Sequence, residues 1–345
     1  MKRLLVYYLK KRIIVISVIS FIVMMLGVVA IGNSNFTYYL QSDIWQKHAT
    51  NSPLWLIVWT GAILATIVPA FEFYFKMRKV SIDEFYQLPI KREGLYITKY
   101  IIGLIETLIP TVVAIITVLI LLAAKDHVFN TSILVPYCFS IVGLVIVYYT
   151  SVVFVYTRCN TFFDGLINIV LWTFLGVAIY GVIDVIFNFD VLRYGDASYF
   201  FLQSPLTVVH VYFDDVFMNY SNADFEPISI ISVVLFSVIG VVFGFLTFYL
   251  IRFDKAEDSM QKSTSWFSYK MLIPIYLSFL TMYVILEDID VFVFLLIILI
   301  CSYIGYVIYN RSFKISRKDL IVFGTTFASS FVISIILSYI LNAIN

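Results

Sequence analysis

Apolar residues arrive in nine blocks separated by short polar or charged stretches: 13–32, 53–75, 101–124, 135–157, 167–189, 228–252, 271–286, 291–309 and 321–341. Most blocks are about 20 residues long, the length at which a helix rising 1.5 Å per residue crosses ~30 Å of hydrocarbon. The seventh is shorter and reads as a tilted or incomplete span. The pattern predicts an all-α polytopic membrane protein with about nine transmembrane helices. The first block follows Lys2, Arg3, Lys10, Lys11 and Arg12 as a signal peptide would. Its apolar run exceeds a usual signal core, and Ala30-Ile31-Gly32 makes a poor cleavage site, so it reads as a retained span.

Composition agrees with this class. The chain is 61% hydrophobic and 13% charged, about half the charge of a soluble domain. With the N-terminus placed in the cytosol, all but three of the 23 Lys and Arg residues fall in or beside cytosolic segments; the exceptions are Lys47, Lys125 and Arg193. This asymmetry is the positive-inside signature, and with nine crossings it puts the C-terminus outside. The outer loops carry Asp43, Asp126, Asp190, Asp196, Asp214, Asp215, Asp224, Glu226, Glu287, Asp288 and Asp290, giving that face a net negative charge. The formal net charge of +1 conceals this polarity.

Catalytic and cofactor chemistry finds no foothold in the sequence. Cys138, Cys159 and Cys301 lie in or beside spans, and His48, His127 and His210 scatter over outer loops, with no spacing suited to a metal. No GxxxxGK[ST] phosphate loop, HExxH or GxSxG motif occurs. The basic residues track topology rather than forming a nucleic-acid patch. The expectation is a protein that is not itself an enzyme and binds no cofactor.

Three acidic residues fall inside the blocks, where a charge costs about 2.5–3.5 kcal/mol on insertion scales. Glu72 closes the second block one turn before Lys76, in register for an i,i+4 pair. Glu106 lies about 9 Å into the third block, too deep and too short to snorkel, and so reads as an interior charge. Asp184 lies near the outer end of the fifth.

The densest charge cluster lies between the second and third blocks, at residues 76–100. Ser81-Ile82-Asp83-Glu84 fits a capping box, with Glu84 reaching back from the third helical position. Ile82, Phe85 and Tyr86 share one apolar face opposite Asp83, Glu84 and Gln87, and Pro89 pushes Leu88 out of the helical region and ends the segment. A second helix is predicted to start beyond Pro89 and run through Lys91, Arg92, Tyr96 and Lys99 into the third span.

On these residues (Glu72, Lys79, Asp83, Leu88-Pro89-Ile90-Lys91-Arg92 and Lys99) the chain resembles the ABC-2 family of ATP-binding-cassette transporter permeases, over roughly residues 1–252. The resemblance implies that residues 80–88 are a coupling helix docking on a cytosolic ATPase subunit, with Arg92 completing the Leu-Pro-x-x-Arg element. It implies an interfacial helix ahead of the first span, carrying Leu4, Leu5 and Tyr8. It also implies a re-entrant outer hairpin within Tyr199–Phe217, broken at Ser204-Pro205. The expected architecture is a six-helix core over 1–252 followed by additional C-terminal transmembrane helices over 253–345, a departure from the simple six-span pattern. The expected function is the permease subunit of a bacterial, Gram-positive-type plasma-membrane exporter of an amphipathic peptide, lipid or drug-like substrate. ATP and Mg would be bound by the partner subunit, and a second permease copy or paralogue would complete the path. The residues alone leave open a secondary transporter or a membrane-embedded sensor without an ATPase partner, although no inverted repeat or appended soluble domain is visible.

Overall fold

Inside hydrocarbon every backbone N–H and C=O must find a partner within the chain, and a helix meets that requirement segment by segment. The computed structural model describes residues 2–32, 36–41, 44–49, 54–78, 91–125, 131–187, 230–253, 259–263, 265–287 and 290–344. Among these, nine helices of 18 residues or more fall on the nine apolar blocks: α1 Lys2–Gly32, α2 Leu54–Glu72, α3 Arg92–Ala123, α4 Thr131–Thr157, α5 Phe162–Phe187, α6 Ile230–Leu250, α7 Tyr269–Leu286, α8 Val291–Asn310 and α9 Arg317–Ile344. Five of them (α1, α3, α7, α8 and α9) combine the length and apolarity needed to cross a bilayer, so the protein is a helical membrane protein. The all-α expectation needs one addition: Phe36–Gln41 and Ile44–Ala49 form an antiparallel hairpin, Phe36 opposite Ala49 and Gln41 opposite Ile44.

The chain divides into two compact units, residues 1–154 with 205–256, and residues 155–204 with 257–345. In the first unit α3 packs along both α1 and α2. Their common core joins Val23 and Ile31 of α1, Ile57 of α2, Ala114, Val118 and Leu122 of α3, and Ile141, Leu144 and Val145 of α4. Hydroxyls stitch α4 to its neighbours: Thr66 meets Tyr148 at 3.2 Å, Tyr100 meets Thr150 at 2.7 Å, and Tyr149 donates to the Tyr100 carbonyl at 3.1 Å. Phe154 stacks on Phe243 of α6 with centroids 4.7 Å apart. Gly103 makes this seam possible, because a Cβ there would lie 2.3 Å from the Tyr149 hydroxyl. Gly103→Ala is therefore expected to lower stability by about 1–3 kcal/mol through overpacking, read as a lower unfolding temperature in detergent. A Gly103→Ala/Tyr149→Phe double variant recovers part of the loss.

In the second unit α7 packs against α5, α8 and α9. Tyr269, Leu272, Ile273, Tyr306 and Tyr309 form its core at one end, with Leu277, Val284 and Ile298 further along. A polar cap closes the basic end. The Ser263 hydroxyl donates to the Arg158 carbonyl at 2.7 Å, Tyr309 donates to the Ser263 carbonyl at 2.6 Å, and Asn168 donates to the carbonyls of Val155 and Phe267 at 3.1 and 3.0 Å. Asp164 receives the Tyr269 hydroxyl at 3.1 Å and Arg311 at 3.4 Å. Asp319 pairs with Lys270 at 2.9 Å and accepts from Asn310 at 3.3 Å. Both carboxylates sit in the first turn of a helix, where the backbone N–H is capped by a hydroxyl three residues earlier: Thr161 at 3.3 Å for Asp164 and Ser316 at 3.1 Å for Asp319. The α8 helix ends on Arg311 in the left-handed region, φ 52°, and the Ser312 N–H reaches back to the Val307 carbonyl at 3.3 Å.

Candidate coupling site

The expected coupling segment lies between α2 and α3. Ser81, Ile82, Asp83, Glu84, Phe85, Tyr86, Leu88 and Pro89 lie outside the described residues, as do Ser204 and Pro205 of the expected outer hairpin. Asp184 falls in α5, and its side chain is likewise outside the description. The two arms that lead into and out of residues 79–90, however, are described.

The incoming arm is α2 followed by a tight 3-10 turn, Tyr74–Met77. The outgoing arm is α3, which starts at Arg92, an exposed residue, directly after extended Lys91 (φ −60°, ψ 138°). Aromatic rings hold the arms together: buried Tyr96 lies 5.5 Å from Phe73 and 5.8 Å from Phe75, centroid to centroid. Such ring pairs contribute ~0.5–1.5 kcal/mol beyond the area they bury.

Beneath this wedge sits a buried ion cluster drawn from three helices. Glu72, its side chain fully buried, accepts from Arg12 of α1 through one oxygen and from Lys99 of α3, at 2.9 Å, through the other. Arg12 Nε also stands 3.4 Å from Oε1 of Glu106, about two turns further along α3 than Lys99. Lys99 lies over the Tyr8 ring at 4.5 Å, so α1 contributes both a charge and an aromatic face. Two cations and two carboxylates balance, and balance is what permits ions to remain out of water.

Glu106, an interior charge on the sequence reading, is 4% exposed. The sequence reading pairs Glu72 with Lys76 along α2. The helix instead stops at Glu72 and tightens into the 3-10 turn, and both Glu72 oxygens turn to α1 and α3. The interfacial helix expected ahead of the first span is continuous with it in α1, with no break at Arg12. From the sequence Arg12 reads only as an orientation charge. The signal that points to it is its place at the border of an apolar block, where a long guanidinium reaches a buried carboxylate on a neighbouring helix.

Chemically, the arrangement holds rather than reacts. Among the described residues no group of three His, Cys, Asp or Glu side chains is disposed to hold a metal ion. What it provides is a rigid base that joins both arms of the 79–90 segment to the N-terminal helix. No family model, no curated protein and no solved structure matches this chain.

Proposed function

We propose that this chain is the transmembrane permease subunit of an ATP-binding-cassette exporter in a bacterial plasma membrane, with its N-terminus in the cytosol and ATP hydrolysed by a separate subunit. The observation that carries this reading is the ion cluster of Arg12, Glu72, Lys99 and Glu106 under the aromatic wedge. A segment gripped by a cytosolic motor needs a base that converts a push into helix movement, and three helices cross-linked by buried charge form such a base. In this reading the 80–88 segment, whose sequence carries the capping-box pattern ahead of Pro89, is the docking element, and its resemblance to the ABC-2 pattern names the partner class. The basic ends of the helices support a cytosolic position for that segment. The substrate class is amphipathic: a peptide, a lipid or a drug-like molecule.

The test is co-expression with the ATPase encoded beside this chain, if that neighbour carries a GxxxxGK[ST] motif, followed by co-purification and vanadate-sensitive export from vesicles. Phe85→Ala and Pro89→Gly are expected to lower export at least tenfold, about 1.4 kcal/mol of coupling, while the protein still inserts and α2 and α3 still pair. Unchanged export together with unchanged ATPase retention in both variants would remove the coupling role.

A further inference from the structure

Helix α1 turns one face outward along its length. Tyr7, Lys10, Ile14, Phe21, Met25 and Val28 follow one another at three-, four- and seven-residue steps and are all exposed. The opposite face belongs to the bundle, with Tyr8 under Lys99, Arg12 on Glu72 and Val23 in the shared core. From Ile14 onward the outward face is hydrocarbon, 72% exposed at Ile14 and 59% at Phe21, as a lipid-facing strip should be. One turn earlier it carries Lys10, with exposed Lys11 on its flank.

These two cations are uncompensated. Helix α1 contains no acidic residue. The carboxylates described in the first unit are engaged elsewhere: Glu72 with Arg12 and Lys99, Glu106 with Arg12, and Glu93 with Arg252 at 2.9 Å. Lys10 and Lys11 therefore meet no carboxylate among the described residues. Their depth is set as well. The apolar block begins at Ile13, so their Cα atoms lie about 3–5 Å outside the hydrocarbon. Helical side chains lean toward the N-terminus, which carries both ammonium groups further out, into a headgroup layer about 5–7 Å deep. Tyr7, edge-on to Tyr8 with centroids 5.5 Å apart, adds the amphipathic ring that favours this layer. Arg3 is exposed on the same face but stands about 15 Å from Ile13, beyond the layer.

We propose that the outward face of α1 holds an anionic phospholipid of the leaflet at this end, its phosphate on Lys10 and Lys11 and an acyl chain along Ile14, Val18 and Phe21. The apolar strip alone accepts any acyl chain, so the two lysines supply the choice of headgroup. Each cation near the surface strengthens binding of an anionic lipid about fivefold. The occupant follows from the depth of the charges. An acidic protein surface in the aqueous phase would engage Arg3 as readily as Lys10, whereas a lipid phosphate lies within reach of the lysines alone. The site is independent of the permease reading, since it needs only that α1 spans the bilayer.

The test places the photo-crosslinker p-benzoylphenylalanine at position 14 of the full-length chain, in vesicles of equimolar phosphatidylglycerol and phosphatidylcholine with identical acyl chains. After irradiation, the mass of each adduct identifies the captured lipid. Phosphatidylglycerol adducts are expected to exceed phosphatidylcholine adducts about 25-fold. Lys10→Gln should lower that ratio to about fivefold, and Lys10→Gln with Lys11→Gln should bring it to about one. Lys10→Arg with Lys11→Arg should keep the ratio, and Arg3→Gln should change it less than about twofold. Both lysines are exposed, so the unfolding temperature in detergent should stay in place in all these variants. Equal capture of the two lipids, a ratio that survives loss of both lysines, a fall in Arg3→Gln as large as in Lys10→Gln, or capture of protein in place of lipid would each overturn the proposal.

Discussion

Glu72→Gln is expected to lower the stability of the protein by about 3–5 kcal/mol and, in the proposed permease, to abolish coupled transport. The carboxylate is the only group bonded to both Arg12 and Lys99 among the described residues, and its side chain is fully buried. Removing its charge leaves Glu106 as the remaining carboxylate of the cluster, and Glu106 stands 3.4 Å from Arg12 with Oε1 lacking a hydrogen bond. Thermal unfolding in detergent reads the stability term, and vesicle export reads the coupling. Glu72→Gln combined with Arg12→Gln restores one-to-one charge balance and should recover part of the stability, since residues in one ion network are not additive. In the proposed permease, export should not recover, because α1 then lacks its ion-pair link to both arms. A double variant no more stable than the single would mean that balance of charge is not what holds the cluster. Glu106→Gln is expected to be milder, because the longer contact to Arg12 carries less of the interaction.

Asp164→Ala should destabilise the second unit by about 1–3 kcal/mol, the cost of leaving a buried donor without its acceptor. The donor is the Tyr269 hydroxyl, on a side chain 1% exposed. Arg311, by contrast, is half exposed and regains water when its partner goes, so its charge adds little to the loss. The expected signature is a lower unfolding temperature, with faster trypsin cleavage at Lys262 and Arg311. Adding Tyr269→Phe to Asp164→Ala removes the orphaned hydroxyl and should return most of the stability. If it does not, Arg311 rather than Tyr269 carries the interaction.

The sequence made the helices legible because hydrophobic block length is a one-dimensional signal, and each predicted block finds a helix. The depth of Glu106 was legible for the same reason, since position along a block fixes position along a helix. The partners of Glu72 were not. Arg12 and Lys99 lie 60 and 27 residues away, and which helix neighbours which is a matter of packing rather than of pattern. Topology also concealed them, because a basic residue at the end of a span already has a reason to be there. The grouping of α5 with α7 was hidden likewise: it rests on Asn168, Trp172 and Tyr276 reaching carbonyls about 100 residues distant. The caps Thr161-x-x-Asp164 and Ser316-x-x-Asp319 were open to view, as hydroxyl and acid three residues apart at a helix start.

The unbroken α1 helix has a mechanical corollary. Thirty-one residues at 1.5 Å make a rod of about 46 Å, well beyond ~30 Å of hydrocarbon. Arg12 divides it into a short limb of ten residues toward Lys2 and a long limb of twenty toward Gly32, roughly 15 and 30 Å. With Arg12 anchored on Glu72 and Glu106, and Val23 and Ile31 packed into the core shared with α3, both limbs are tied to the same bundle, and the helix joins the ion cluster at one end to the apolar core at the other as a single continuous piece.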